Sequence, residues 1–302
     1  MKSFGLGVVL MGMSFASGCA EPGATAKNPE NSGVFVYAPT LGAPYQETMQ
    51  RFEEVSIPGT AMHDAERWTL DWQVVNAQEG DNFKRTLKLV GLKFNVNGVD
   101  ELRGDEIKAA APTIDVVTDK GANVVDVHGT EQLSAAIVAL ATPEAQPILK
   151  RVFSPARLKA LVVMRSVEQH ADFVGRPSQV GSQWTTTVPD ASSTKQIRVV
   201  SEAPCGTSRC VQVERSYDVD KQAVFDEVSG RIANYVQAQG GDPQQVRLSE
   251  VEVKLKDSLL IAPASMDYHA ANFDQDATMR VAGPNGELPV AFKLHRQSEY
   301  KY

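Results

Sequence analysis

Apolar and polar residues alternate with period 2 along much of this chain, and the alternation changes phase within two of its runs. Trp68-Thr69-Leu70-Asp71-Trp72-Gln73-Val74 places four large apolar residues on one face of an extended segment. Leu87 and Leu89 share a parity, but beyond Gly91 the apolar set moves to Leu92, Phe94 and Val96. A second slip separates Val246 and Leu248 from Val251, Val253 and Leu255. Successive strand residues point to opposite faces, so a regular strand would turn half of each set to water. Each slip therefore predicts a β-bulge, and bulges bend the strands that carry them. Long, curved strands are expected.

Further strands are marked by their turns. Ile114 and Val116 are separated from Val125 and Val127 by Asp119-Lys120-Gly121, and Trp184, Thr186 and Val188 follow Gly181. Pro284-Asn285-Gly286 precedes Leu288, Val290, Phe292 and Leu294, the pattern of a hairpin. Helical spacing takes over in the middle of the chain, where Leu133, Ala136, Ile137 and Leu140 lie on one face. Thr142-Pro143 and Ser154-Pro155 each set a capping residue before a proline and predict two more helix starts. Ala160, Val163, Met164 and Val167 form the expected buried stripe of the second. A fourth helix is expected from Lys221 to Gln239, burying Phe225, Val228, Ile232, Tyr235 and Val236 and ending at Gly240-Gly241. Segregated helices with hairpin-linked strands predict an α+β fold, a curved antiparallel sheet (an open or half β-barrel) packed against several helices.

Hydrophobic residues make up 42% of the 302 and charged residues 22%, which suits a globular core and excludes wholesale disorder. A net charge of −7 offers no surplus of Lys and Arg for phosphates, so nucleic acid is not an expected partner. Lys2, the apolar run Phe4 to Phe15 and the small residues Ala16-Ser17-Gly18 before Cys19 have the layout of an export signal. The run is too short to span a bilayer, which takes about 20 residues. The ending resembles a bacterial lipobox, with Ala16 where Leu is usual. That resemblance implies acylation of Cys19 after removal of residues 1–18, a membrane held through the N-terminal lipid, and a tether over 19–32 rich in Pro, Gly, Ala and Asn. Ala20 and Glu21, in place of an Asp retention signal, imply the outer membrane, with the protein facing the periplasm or the cell surface. Residues 33–302 read as one α+β domain; the alternative is a division near Gly175.

Cys205-Gly-Thr-Ser-Arg-Cys210 lies between alternating runs, so the two cysteines are expected to close a hairpin tip as a disulfide in an oxidising compartment. Two Cys at this spacing would need further ligands to hold a metal, and the sequence places neither a second Cys pair nor a His close by.

Val116-Val-Thr-Asp-Lys-Gly121, Val125-Asp-Val-His-Gly129 and Val180-Gly-Ser-Gln-Trp184 resemble a group of uncharacterised bacterial envelope lipoproteins. The broader likeness is to lipoprotein-localisation factors, whose curved sheet cups helices around an apolar cavity. That likeness implies a similar cavity but transfers no catalytic or ligand-binding residue.

None of the five histidines forms a two-ligand helical spacing, and no nucleophile elbow, P-loop or dinucleotide fingerprint occurs. Ser192-Ser-Thr-Lys195 has the S-x-x-K spacing but falls in an expected turn without its companion motifs. No cofactor or metal is expected. Trp68, Leu70, Trp72 and Val74 are either ordinary core or the lining of a cavity for an apolar ligand. The expectation is a lipid-anchored, non-enzymatic envelope protein that binds an apolar ligand or a protein partner. Alternatives are a hydrolase using His63 and Asp64 from a loop, or a purely structural surface lipoprotein. Replacing Cys19 with Ala should move the protein out of the membrane fraction on cell fractionation; a variant that stays as firmly bound as wild type would refute the anchor.

Overall fold

A computed structural model describes residues 33–302, apart from 57–62, 101, 103–109, 111, 144–145, 189–192, 206–207, 219–221, scattered positions between 223 and 241, 246 and 284–285. The expected signal and tether, 1–32, lie outside the described residues. The dominant element is one twelve-stranded antiparallel sheet. Its strands are β1 (Tyr45–Ser56), β2 (His63–Glu79), β3 (Asn82–Val96), β4 (Val99–Asp100), β5 (Thr113–Thr118), β6 (Val124–His128), β7 (Gln183–Val188), β8 (Ser193–Cys205), β9 (Ser208–Asp218), β10 (Arg247–Ile261), β11 (Tyr268–Gly283) and β12 (Gly286–Lys301). The order across the sheet is β6-β5-β3-β2-β1-β12-β11-β10-β9-β8-β7, with β4 paired to β3.

The expected α+β class is therefore wrong. The protein is mostly β, and its helices are short: α1 (Thr130–Leu140), α2 (Gln146–Val152) and α3 (Pro155–Ser166), followed by a π-helical turn at Val167–Ala171. Two features misled the sequence reading. The alternation marks only parts of the long strands β2 and β10, and no run marks β1 or β11. In the fourth expected helix, Phe225 and Val228 are helical and pack against the sheet; Ile232, Tyr235 and Val236 lie outside the described residues.

Both predicted phase slips are bulges. Asp71 pairs with Gly91 but Trp72 with Leu89, leaving Val90 as the extra residue. Leu248 pairs with Val281 and Glu250 with Arg280, leaving Ser249. Gly91 is needed at the first of these, because a Cβ there would stand 2.5 Å from the Asp71 carboxylate, which accepts a 2.8 Å hydrogen bond from Thr48.

The helices connect the two edges of the sheet. The chain leaves edge strand β6, passes through α1, α2 and α3 and re-enters at the opposite edge, β7. The main core joins them to the inner face: Leu133, Ile137, Leu149, Phe153 and Leu158 of the helical stretch share one cluster with Trp68, Trp72, Leu89, Ile197, Val213 and Ile261 of the strands. A second cluster lies at the far ends of β10 to β12, where Val228 meets Leu248, Met279, Val290 and Phe292. The expected stripe on α3 is also corrected. Ala160 is exposed, Val163, Met164 and Val167 are half-buried, and Leu158 and Ser166 are the buried residues. Of the second helix the described part is Gln146–Val152, and Gln146 donates its backbone N–H to the Thr142 carbonyl at 3.0 Å; residues 144–145 lie outside the described residues.

The N-terminal stretch seals the β7 side. Phe35 exchanges backbone hydrogen bonds with Arg176 and Gly175 and sets its ring against Phe173 and Trp184. The entry into α1 depends on Gly129. Its φ of 86° lies in the left-handed region, and a Cβ would come within 2.1 Å of the Thr113 carbonyl oxygen. Both strain and clash oppose a side chain there, so Gly129→Ala should destabilise the fold by about 2 kcal/mol or more, read as a lower urea midpoint at unchanged slope.

Candidate functional site

The inner face is not uniformly apolar. One row of directly paired residues crosses it from edge to edge: Trp184, Ile197, Arg215, Asp257, Phe273, Arg296, Arg51, Trp68 and Phe94. Its ends are apolar and its middle is charged. The neighbouring row toward the main core is apolar except for Ser298, running Val199, Val213, Leu259, Ala271, Ser298, Met49, Leu70 and Leu92. On the other side lie Leu255, Gln275, Leu294, Glu53 and Glu66, and beyond them the second apolar cluster. A charged belt therefore separates two apolar layers.

α3 and the π-helical turn supply the other wall. Arg165, Glu168, Gln169 and Asp172 recur at one-turn spacing on one face. Arg165 donates to the Glu47 carboxylate and, at 3.1 Å, to the Tyr300 hydroxyl, which also receives Gln169 Nε2. The Glu168 carbonyl accepts from Arg215 at 2.7 Å, and Asp172 pairs with the buried Lys195. These contacts fix the helical stretch to the belt by polar bonds, whereas its N-terminal part is held by apolar packing. Lys195 thus belongs to strand β8 and an ion pair, not to the turn expected around S-x-x-K.

Arg215 and Asp257 face each other across β9 and β10, form an ion pair and are almost wholly buried. Tyr217 donates to the same carboxylate at 3.0 Å. Burial is the largest single influence and works against the Arg215 charge, but Asp257 together with Tyr217, Glu168 and Tyr268 outweighs it and holds the guanidinium ionised, its pKa well above the usual value. Burial pushes the Glu53 carboxyl up, opposed by the adjacent Arg51. Burial, followed by the nearby Arg85, pushes His170 well below its ordinary range. A neutral His170 is consistent with its position between the rings of Tyr37 and Tyr268. Several buried polar atoms along this wall have no hydrogen-bond partner: Arg51 Nε, Glu53 Oε1, Arg215 Nε and the Tyr268 hydroxyl.

Trp68, Leu70, Trp72 and Val74 all lie in the main core. Trp68 stacks on Phe94 at 3.7 Å and meets Phe153 of the helical stretch at 5.2 Å. Cys205 and Cys210 form a disulfide near the β8–β9 hairpin tip, with Cα atoms 5.7 Å apart. His269, remote in sequence, brings a ring nitrogen into a group with the two sulfurs that spans 4.8 Å. With both sulfurs in the disulfide no thiolate is offered to a metal. His63 and Asp64 are the first residues of β2, paired with Ser56 and Val55, and not members of a loop.

The sequence reading missed the belt, although it had a signal. Glu47, Arg51 and Glu53 in β1, Arg215 in β9, Asp257 in β10 and Arg296 in β12 occupy the inward parity of their strands. Removing one partner of a buried ion pair leaves the other charge uncompensated. Asp257→Ala should therefore cost about 3–5 kcal/mol in chemical denaturation, and the double replacement Arg215→Leu with Asp257→Leu should recover most of it. A double variant as unstable as the single one would show that the pair acts through other contacts.

The chain matches no protein-family model and no curated protein. Among solved structures it is similar to DynF from the dynemicin biosynthesis pathway of Micromonospora chersina, at 10% identity over 92% of each chain with a TM-score of 0.17. It is similar too to a protein from Bacteroides fragilis named as a candidate exported protein with a YmcC-like fold, at 10% identity over 86% of this chain and 97% of that one, TM-score 0.23. A third is a DUF1329 family protein from Desulfovibrio piger, at 7% identity over 85% of each chain, TM-score 0.14. At TM-scores this low the likeness carries no weight for the site or its chemistry.

Proposed function

We propose that this is a lipid-anchored protein of the bacterial outer membrane that acts by binding and not by catalysis, taking a guest against the inner face of its sheet. The lipobox-like Ala16-Ser17-Gly18-Cys19 and the hairpin disulfide support the compartment. One observation carries the binding reading. A charged belt lies between two apolar layers, and solvent reaches two of the cations at it, Arg51 and Arg165, while their carboxylate partners stay behind them. Arg51 and Arg165 keep 26% and 29% of their side-chain surface exposed, against 1% for Glu53 and 5% for Glu47. Buried polar atoms without partners in such a place are the groups that a polar guest or ordered water completes. The tryptophan stripe is covered by the protein's own helical stretch, so the purely apolar pocket is the less favoured version of the guest site.

A second reading rests on a different observation. The outer surface of β7 to β11 hollows into a polar concavity of about 880 Å³ lined by residues such as Gln196, Arg198, Gln212, Glu214, Lys256 and Asp274. A protein partner meeting the envelope module from outside would find its polar contacts there.

Native mass spectrometry of the protein purified from its own host distinguishes the two. A retained small-molecule mass is the expected result and supports the inner-face reading. A protein that is always empty would overturn that reading in favour of the outer surface.

A further inference from the structure

Within the belt, two arginines are placed against each other. Arg296 of β12 and Arg51 of β1 are direct cross-strand neighbours on the inner face. Side chains so paired stand within about 5.5 Å at their Cβ atoms, and like charges there repel. Sheets avoid this arrangement unless something lies between the two charges.

The bonding of the two differs. Arg51 gives Nη2 to Glu53 at 2.7 Å, and its buried Nε meets no acceptor. Arg296 lies with Cζ 5.2 Å over the Phe273 ring. Among the described residues it makes no ion pair or hydrogen bond to a carboxylate or carbonyl oxygen. Of the acids nearby, Asp257 is engaged by Arg215 and Tyr217 and Glu47 by Arg165, while the Glu168 carboxylate acts on Arg296 through space without an ion pair. Burial pulls the Arg296 pKa down; Glu168 and Asp257 oppose this from a distance, while Arg165 and Arg51 add to it. The protein thus keeps a cation in a partly desolvated place, against a second cation, with a ring beneath it and, among the described residues, no carboxylate bonded to it.

We infer that Arg296 and Arg51 form an anion site that takes the carboxylate or phosphate group of the guest. The guanidinium fork matches both anions, presenting paired N–H donors to two oxygens, and the ring below Arg296 holds its plane in position. Arg51 Nε supplies one more donor that the protein leaves unused. The inference rests on the reading that the inner face holds a guest, and it names the chemistry of that guest's polar end. A free phosphate and the head of an anionic amphiphile share this chemistry.

The test uses the mature, lipidated protein in dodecyl maltoside, titrated with inorganic phosphate or with dodecyl phosphate while thermal unfolding is followed. Dodecyl phosphate should raise Tm in a saturable way in wild type; a matching response to inorganic phosphate identifies a free anion as sufficient, and its absence identifies an amphiphile. Arg296→Gln should weaken the apparent affinity about tenfold or more and raise the Tm of the empty protein, because it relieves the repulsion with Arg51. Arg296→Lys, which keeps the charge and loses the fork, gives a response between the two and serves if the Gln variant folds poorly. The inference is overturned if neither anion stabilises wild type. It is also overturned if Arg296→Gln lowers the empty Tm and leaves the anion response intact, since Arg296 would then be a stacking residue only. A neutral mass retained in native mass spectrometry with no anion response would defeat this inference and leave the binding reading standing. An empty protein with no anion response would defeat both.

Discussion

An antiparallel sheet of twelve strands has one face too large to leave in water, and this protein covers it with the chain that joins the sheet's own edges. The path from β6 to β7 crosses the inner face as α1, α2 and α3, so covering and connection are the same act. A helical stretch this short cannot bury a face this wide. The apolar side chains of α1 and α2 fill the part nearest β2 and β3, and the helix observed around Val228 serves the far ends of β10 to β12. Between them remains a strip where the strands point inward with little apolar cover above them. That strip is the charged belt.

What was legible in the sequence, and what was not, follows from the same division. The slips at Gly91 and Ser249 could be read because the apolar residues on both sides of each bulge face cores, and a phase change in burial shows as a phase change in composition. The disulfide was readable from its hairpin flanks. β1 was invisible because its inward residues are Tyr45, Glu47, Met49, Arg51, Glu53 and Val55, a set with no apolar alternation. β1, beside the middle of the sheet order, was therefore a strand the pattern rule could not see. With it went the whole candidate site. The π-helical turn tells the same story. Its face spacing was present at Arg165, Glu168, Gln169 and Asp172, but a search for apolar periodicity passes over a polar one.

A belt of this kind is costly by ordinary standards of stability. Buried ion pairs recover their desolvation only with good geometry, and well-packed apolar residues of similar volume often serve stability better. Arg215 and Asp257 come near to meeting that standard, since each also has a further polar partner. Glu53 and Arg51 do so less well: each retains an unpaired buried atom, as Arg215 does, but among the described residues their side chains bond to each other alone. Arg296 does so least, with a ring and, among the described residues, no bonded counter-charge. The pair on β9 and β10 is thus the best satisfied, and satisfaction is lower on β12 and β1, where the arginines are also more exposed.

That difference separates a structural role from a binding role within one set of residues. The deep end locks the helical stretch to the sheet through Arg215, Glu168 and Asp172, and a guest there would have to break bonds already made. At the shallow end the bonds are incomplete, solvent enters, and positive charge stands in front of the acids that balance it. A guest arriving from water therefore meets cations first, in a setting where a hydrogen bond is stronger than in bulk water and an unpaired group is most costly. Because the far side of the row is rigid, the open side need not rearrange to receive such a guest, and little of the binding free energy is lost to ordering.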